Sequence, residues 1–408
     1  MVARSHEVIG QSYSRLEHDL NRSLFLLALG GFVGSNEGFL IGSLLPFMAA
    51  DYGVTIGQAS FVVFAYSVAY GIGTPVLSAL LGHVDKRRLL AGAELGVAAF
   101  CLLIALVPGL SGLVMARVGL AVVAGLFTAN AFATAAALSL AEKRGAAMSV
   151  VASGQSLALI LGVPTGAWVA ATFGWRTIYF AIAALALLAS IGFFVALPKG
   201  LVGERQQLLS RISVLRERGV LIALLCTLLF MLSAYLPIIY VAVLTKTLTS
   251  SLGLLPIALL ANGVGALVGS NVGGRLSDRI GPRRTLILLC VGQVGIMIML
   301  EGAFWLSPTP AAVLLCSVMG LAGVVGWGFW AAQSGHLSEL ASKSVSFAIS
   351  LNLTALNIGV ALTALVGGVL VDNGGAVYLP LLAAAISVLA SFAAFTSPRS
   401  AVPLTGLS

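Results

Sequence analysis

Along this chain the apolar residues come in long unbroken runs. Twelve such runs lie at about residues 24–45, 60–82, 89–108, 112–139, 146–171, 177–197, 219–244, 253–273, 285–306, 311–336, 345–371 and 376–396, with short polar loops between them. A helix rising about 1.5 Å per residue crosses a hydrocarbon core of roughly 30 Å in about 20 residues, so each run is long enough to span a membrane. The pattern predicts an all-α polytopic membrane protein of twelve transmembrane helices, six on either side of the longest charged stretch. The expected organisation is an N-terminal tail (1–22), a six-helix bundle (23–198), a linker (199–218), a second six-helix bundle (219–397) and a C-terminal tail (398–408). The first run exceeds the roughly 7–15 apolar residues of a cleaved signal peptide, so it is expected to be retained.

Charge fixes the threading. If the chain alternates through the bilayer, all but three of its 22 Lys and Arg residues fall on the side of the termini, the exceptions being Arg117, Arg176 and Lys246. By the positive-inside rule that side is the cytoplasm. The loop after run 2 ends Asp85-Lys86-Arg87-Arg88 and the loop after run 8 ends Gly281-Pro282-Arg283-Arg284, nearly half the chain later. Two copies of a six-span unit joined by a basic linker form a transporter architecture, with substrate bound between the halves.

Composition then excludes other classes. The chain is 59% hydrophobic and 9% charged, whereas about a quarter of residues carry charge in soluble domains. Its net charge of +8 resides in short loops without interleaved aromatics, so no nucleic-acid partner is expected. Cys101, Cys226, Cys290 and Cys316 form no CxxC pair, and no metal set is expected. There is no Walker lysine motif and no nucleophile–base constellation, so neither ATP chemistry nor an enzyme activity is expected.

Polar residues inside the runs carry the candidate chemistry. Glu37 lies near the middle of run 1, where a carboxylate costs on the order of 3 kcal/mol or more unless neutralised, paired or wet. Gly30, Gly34, Gly38 and Gly42 form a small-residue ridge about 100° around the same helix, so one face can pack while the next meets a cavity. Arg117 in run 4 differs from Glu37 in depth by roughly 6 Å, within side-chain reach. Two readings stand for each: a proton-coupling Glu37/Arg117 pair, or a structural carboxyl and an arginine snorkelling to the interface. Asn36, Asn130, Thr134 and Gln155 in the first half, with Asn262, Trp327, Trp330, Gln333 and Asn357 in the second, are candidates to line a substrate cavity or to bond neighbouring helices. Glu94, six residues past Arg88, is expected to pair near the surface. Pro164, with Gly162 and Gly166, should bend run 5.

The stretch Gly274-Arg275-Leu276-Ser277-Asp278-Arg279-Ile280-Gly281-Pro282-Arg283-Arg284 resembles the loop signature of the major facilitator superfamily. The resemblance implies two pseudo-symmetric six-helix bundles and a conformational latch made by Asp278, Arg279 and Arg283. Gly38 to Pro46 followed by Ala49 to Val54, then Gly162-Val163-Pro164-Thr165-Gly166, Phe173-Gly174-Trp175-Arg176 and Arg117 at the start of run 4, are similar to motifs of the drug/proton antiporters of the arabinose-efflux type. That subfamily implies export of a small molecule in exchange for protons, with the proton gradient as energy source and no cofactor. The partners implied are a small-molecule substrate, protons and the lipid bilayer. A monomer in the bacterial inner membrane is expected. One acid amid amides, hydroxyls and aromatics suits neutral or cationic amphiphiles of drug, sugar or nucleoside type. An uptake symporter or facilitator of the same fold is the alternative. A non-transporting receptor is disfavoured by such short loops.

Overall fold

The computed structural model describes residues 2–140, 143–202, 217–341 and 344–398, with residues 2–19 and 346 described by backbone alone. Most of the expected linker (203–216) and C-terminal tail (399–408) lie outside the described residues. Among the described residues, twelve helices are long and apolar enough to cross a membrane: Leu20–Tyr52, Ile56–Leu80, Lys86–Leu106, Leu110–Leu138, Arg144–Phe173, Trp175–Ala196, Arg218–Ile239, Leu255–Ile280, Pro282–Trp305, Pro308–Leu340, Phe347–Asp372 and Ala376–Thr396. These are spans 1 to 12. Span 7 ends earlier than its apolar run. Pro237 cannot donate to the helical ladder, the helix stops at Ile239, and a second short helix takes over at Val241–Thr249. Span 1 is the C-terminal part of a longer helix, Val2–Tyr52, whose backbone includes most of the expected tail.

Both halves pack on one plan. Span 1 lies against span 5, span 2 against span 4 and span 3 against span 6; in the second half span 7 lies against span 11, span 8 against span 10 and span 9 against span 12. The halves meet through spans 2 and 11 and through spans 5 and 8. Within the second half, spans 8 and 10 touch backbone to backbone. A Cβ at Gly265 would stand 2.0 Å from the Gly320 carbonyl oxygen, and one at Gly269 would stand 2.2 Å from that of Val324. Small residues permit this approach, and in lipid such packing replaces the hydrophobic driving force.

The face on which span 1 begins, here the near face, repeats one tie. Arg87 at the start of span 3 donates to the carbonyl of Phe194 at the end of span 6. At the matching place in the second half, Arg283 at the start of span 9 donates to the carbonyls of Phe395 (2.6 Å) and Ser397 (2.7 Å) at the end of span 12. Asp85 caps span 3, accepting from the N–H groups of Arg87 (2.9 Å) and Arg88 (3.3 Å), and also from Gly200 N–H at 2.6 Å. The Lys86 N–H donates to Leu201 at 2.8 Å, so the chain leaving span 6 is strapped to the start of span 3. The Gly200 N–H, with smaller help from those of Arg88 and Arg87 and against a push from burial, holds the Asp85 carboxyl below the usual range.

Gly269→Val should lower the melting temperature of detergent-purified protein by the equivalent of about 1–3 kcal/mol, as overpacking does. Gly295→Val, where nothing lies within 4 Å of an added Cβ, should leave it unchanged. A carboxyl lowered in the folded state stabilises above its ordinary range and loses that contribution as pH falls through the lowered value. The protection of the Gly200 amide, measured as its exchange rate relative to the unstructured rate at the same pH, should therefore fall on acidification in the wild type and should show no such pH step in Asp85→Asn.

Candidate functional site

A cavity of about 460 Å³ lies between the halves, walled by spans 1, 2, 4 and 5 and by spans 7, 8, 10 and 11. Among the described residues no charged side chain lines it. Gln155, Asn262, Trp327, Trp330 and Asn357 stand in its wall, and Phe39 of span 1 meets Trp327 of span 10 edge-on across it, at 6.3 Å between ring centroids. Two of the amides are anchored: Asn262 donates to the Met319 carbonyl (3.0 Å) and Asn357 to that of Leu353 (2.8 Å).

Four of the expected lining residues lie elsewhere. Asn36 packs beneath Gly162, where a Cβ would come within 2.6 Å of its amide nitrogen. Asn130 donates to the Leu126 carbonyl (2.8 Å) and accepts from the Lys86 ammonium (2.7 Å). Thr134 shares that face of span 4 and is buried with it, while Thr128 and Phe132 turn to the cavity. Gln333 donates to the Ala223 carbonyl (2.6 Å) and to Thr227 (2.8 Å), whose hydroxyl donates to Asn352 (2.6 Å). These amides tie spans 7, 10 and 11 together rather than facing a substrate.

The glycine ridge of span 1 divides in a way its sequence does not show. Gly34 and Gly38 line the cavity, whereas Gly42 packs on the backbone of Ile238 and Ile239, and Gly30 packs on Phe127 and Glu94. Glu37 accordingly faces into the first half, where it forms an ion pair with Arg117, both side chains fully buried. The guanidinium also donates to the Tyr179 hydroxyl (3.3 Å) and lies over the Tyr66 ring at 4.7 Å. Arg117 lines a small annex of about 90 Å³ that shares Gly38, Phe39, Tyr66, Tyr235, Ile238, Leu356 and Asn357 with the central cavity wall. The buried ion pair thus sits one side chain away from the central cavity, with its cationic member toward it.

Sequence reasoning missed the tyrosines. Tyr66 and Tyr70 stack at 5.9 Å and, with Thr74, line the cavity from span 2. Their i, i+4, i+8 spacing on one helix face is the signal that was available. It also misplaced Glu94, which is fully buried and, among the described residues, has neither an ion pair nor a hydrogen bond.

The span 5 motif is built into a π-helical turn. Residues Ala158–Gly162 are π-helical, the Val163 N–H bonding back to Ala158, immediately before Pro164, whose nitrogen carries no hydrogen. Gly162 fits against Asn36 and Gly166 against Leu40 of span 1, while Leu159 and Ile160 touch Gly263 of span 8 in the other half. Of the three expected latch residues, Arg283 ties spans 9 and 12 as described, whereas Asp278 and Arg279 are exposed and make no ion pair among the described residues.

The halves are closed together on the far face. Asp372 at the end of span 11 accepts from the Thr55 hydroxyl (2.6 Å) and the Gly57 N–H (2.8 Å) at the start of span 2. A carboxylate there complements the positive end of the helix dipole. Ser60 donates to the Ala364 carbonyl (2.8 Å), and deeper in, Thr354 donates to Gly71 (2.9 Å).

Two like-packed six-helix halves around a central cavity define a membrane transporter of the two-bundle class. The family model of the Major Facilitator Superfamily matches residues 27–334 and 224–406, and the chain belongs to that family. It is 29% identical over 385 residues to the inner membrane transport protein YdhP of Escherichia coli (strain K12), covering 93% of this chain and 97% of that one. It is 29% identical over 392 residues to a chloramphenicol resistance protein of Streptomyces lividans, covering 93% and 98%. The solved structure of the nucleoside transporter NupG shares the fold at a TM-score of 0.74 and 14% identity, covering 92% of this chain and 99% of that one.

Removing one partner of a buried ion pair strands the other, at about 3–5 kcal/mol. Arg117→Leu alone should therefore depress the melting temperature by that equivalent. Arg117→Leu combined with Glu37→Gln should recover most of it in a double-mutant cycle.

Proposed function

We propose that this protein exports a small neutral or cationic amphiphile across the bacterial inner membrane in exchange for protons, by alternating access of the central cavity to the two faces. The near face is cytoplasmic in this reading, by its basic residues, and the conformation described is closed outward. The observation that carries the proposal is the buried Glu37–Arg117 pair beside a cavity that has no charged lining of its own. Glu37 holds the transported proton. Ionised, it neutralises Arg117; protonated, it lets the guanidinium go, and the energy of that exchange biases the halves toward one face. Similarity to a chloramphenicol resistance protein supports efflux of drug-like molecules. The span 5 motif, which touches span 1 and the opposite half at once, suits a seal that alters as the halves rock.

One observation favours a second reading, proton-coupled uptake. Arg117, not Glu37, lines the annex. A ligand whose acceptor reached Arg117 would displace the ionised Glu37 and bring a proton in with it, whereas a ligand that captures Glu37 from its protonated state, engaging it as the carboxylate, expels one. The sign of proton movement separates the two.

Proton exchange should be followed in weakly buffered, detergent-purified protein as chloramphenicol, sugars and nucleosides are added one at a time. Release with one of them in the wild type, absent in Glu37→Gln, is the expected result. Uptake would establish the symport reading. Binding without proton movement, or release that survives in Glu37→Gln, would remove Glu37 from the mechanism.

A further inference from the structure

Glu94 is the carboxyl that the ion pair leaves unexplained. It lies eight residues into span 3, about 12 Å from the near face, with its side chain fully buried between spans 1, 3 and 4. Room for it comes from Gly30: a Cβ there would stand 2.9 Å from Oε1 and 2.2 Å from the Phe127 ring. Neither carboxyl oxygen has a hydrogen-bond partner among the described residues. The charged and titratable groups around it are few. Lys86, a buried neighbour on its own helix, is committed to Asn130 and the Gly82 carbonyl, and Arg87 reaches the Phe194 carbonyl. Span 1 offers Glu37 and, two turns before Gly30 at its near-face end, the exposed Arg22, with Asp51 and Tyr52 at the far end; span 4 offers only Arg117, which pairs with Glu37; span 6 offers Tyr179, bonded to Arg117; Cys101 stands two turns along span 3. Among the described residues no cation meets Glu94, and an isolated buried carboxylate is far costlier than a protonated one.

We infer that Glu94 is a second proton-carrying carboxyl of the transport cycle, loaded while Gly30 of span 1 covers it and unloaded where span 1 withdraws and cavity water reaches it. The inference rests on the proton-coupled reading above. Gly30 covers Glu94, and the turns of span 1 that follow it hold Gly31, Gly34 and Gly38, the least helix-stabilising residue type short of proline, so this is where span 1 yields most readily. Gly34, one turn beyond Gly30, already lines the cavity. Glu37 and Glu94 lie against one side of span 1, about 10 Å apart along its axis. They have opposite surroundings: one is met by a guanidinium, the other by glycine and a phenyl ring.

Spin labels on Ser111 and Ser251, exposed on the far face of the first and second halves, report the open-to-closed ratio as a function of pH. Each proton bound differently in the two conformations changes that ratio by up to about tenfold per pH unit. The wild type should exceed tenfold per unit, and Glu94→Gln and Glu37→Gln should each retain one proton's response. A Glu94→Gln curve that superimposes on the wild type overturns the role of Glu94 alone. A wild-type ratio that ignores pH removes the proton-coupled reading itself. If Glu94→Gln does not fold, dicyclohexylcarbodiimide decides in the wild type: one nitrogen takes the acid proton, the central carbon takes the carboxylate oxygen, and the adduct rearranges to a stable N-acylurea. An adduct on Glu94 that forms at neutral pH and fades at alkaline pH supports the inference. No adduct at any pH overturns it.

Discussion

Hydrocarbon does not tolerate an unpaired charge, and the first half of this protein is arranged around that fact. Arg117 and Glu37 sit on different helices at a depth where either alone would cost several kcal/mol, so spans 1 and 4 are held in one register by electrostatics as much as by shape. Tyr179 from span 6 and Tyr66 from span 2 complete the guanidinium's surroundings, which recruits four helices to one cation. With Glu37 turned inward, the other side of span 1 is left to Gly34 and Gly38, and that is the side that opens on the cavity.

The second half solves a lesser problem with neutral groups. Gln333, Thr227 and Asn352 bond across spans 10, 7 and 11, and Ser233 bonds Ser387 (2.6 Å) between spans 7 and 12. Such contacts are worth about 1–2 kcal/mol or less in a membrane, and they hold helices without introducing charge. The two halves therefore share a packing plan while differing in chemistry. Ionisable groups are buried deep in one, and amides and hydroxyls fasten the other.

The twelve spans were legible because lipid imposes length and apolarity on every crossing, and the doubling was legible because both copies of the near-face loop keep an arginine at matching places. The Arg87 and Arg283 ties show what that repeat does. Helical periodicity shows which residues share a face but not where the face points. Asn130 and Thr134 share a face, as the spacing implies, but spacing left open whether that face meets the cavity or a neighbouring helix; the buried Lys86 ammonium, which no local pattern announces, claims that side of span 4. Glu94 was misjudged for a related reason. Six residues along a helix is about 240° of net rotation, so it cannot share the exposure of Arg88. The stop after Pro237 could not have been read from the proline alone, because Pro46 and Pro75 stand inside helices that run on past them.

The seam between the halves has little relief. Gly42 lies on the backbone of Ile238 and Ile239, Gly263 on that of Leu159 and Ile160, and Gly368 on that of Gly57. Interlocked side chains would have to change rotamer, one after another, before two such bodies could part. Surfaces of bare peptide can instead roll past one another without such rearrangement, and what holds them shut is then concentrated in a few discrete bonds near the rim. On the proposed cycle, friction is lowest at the surface that alternating access sets moving.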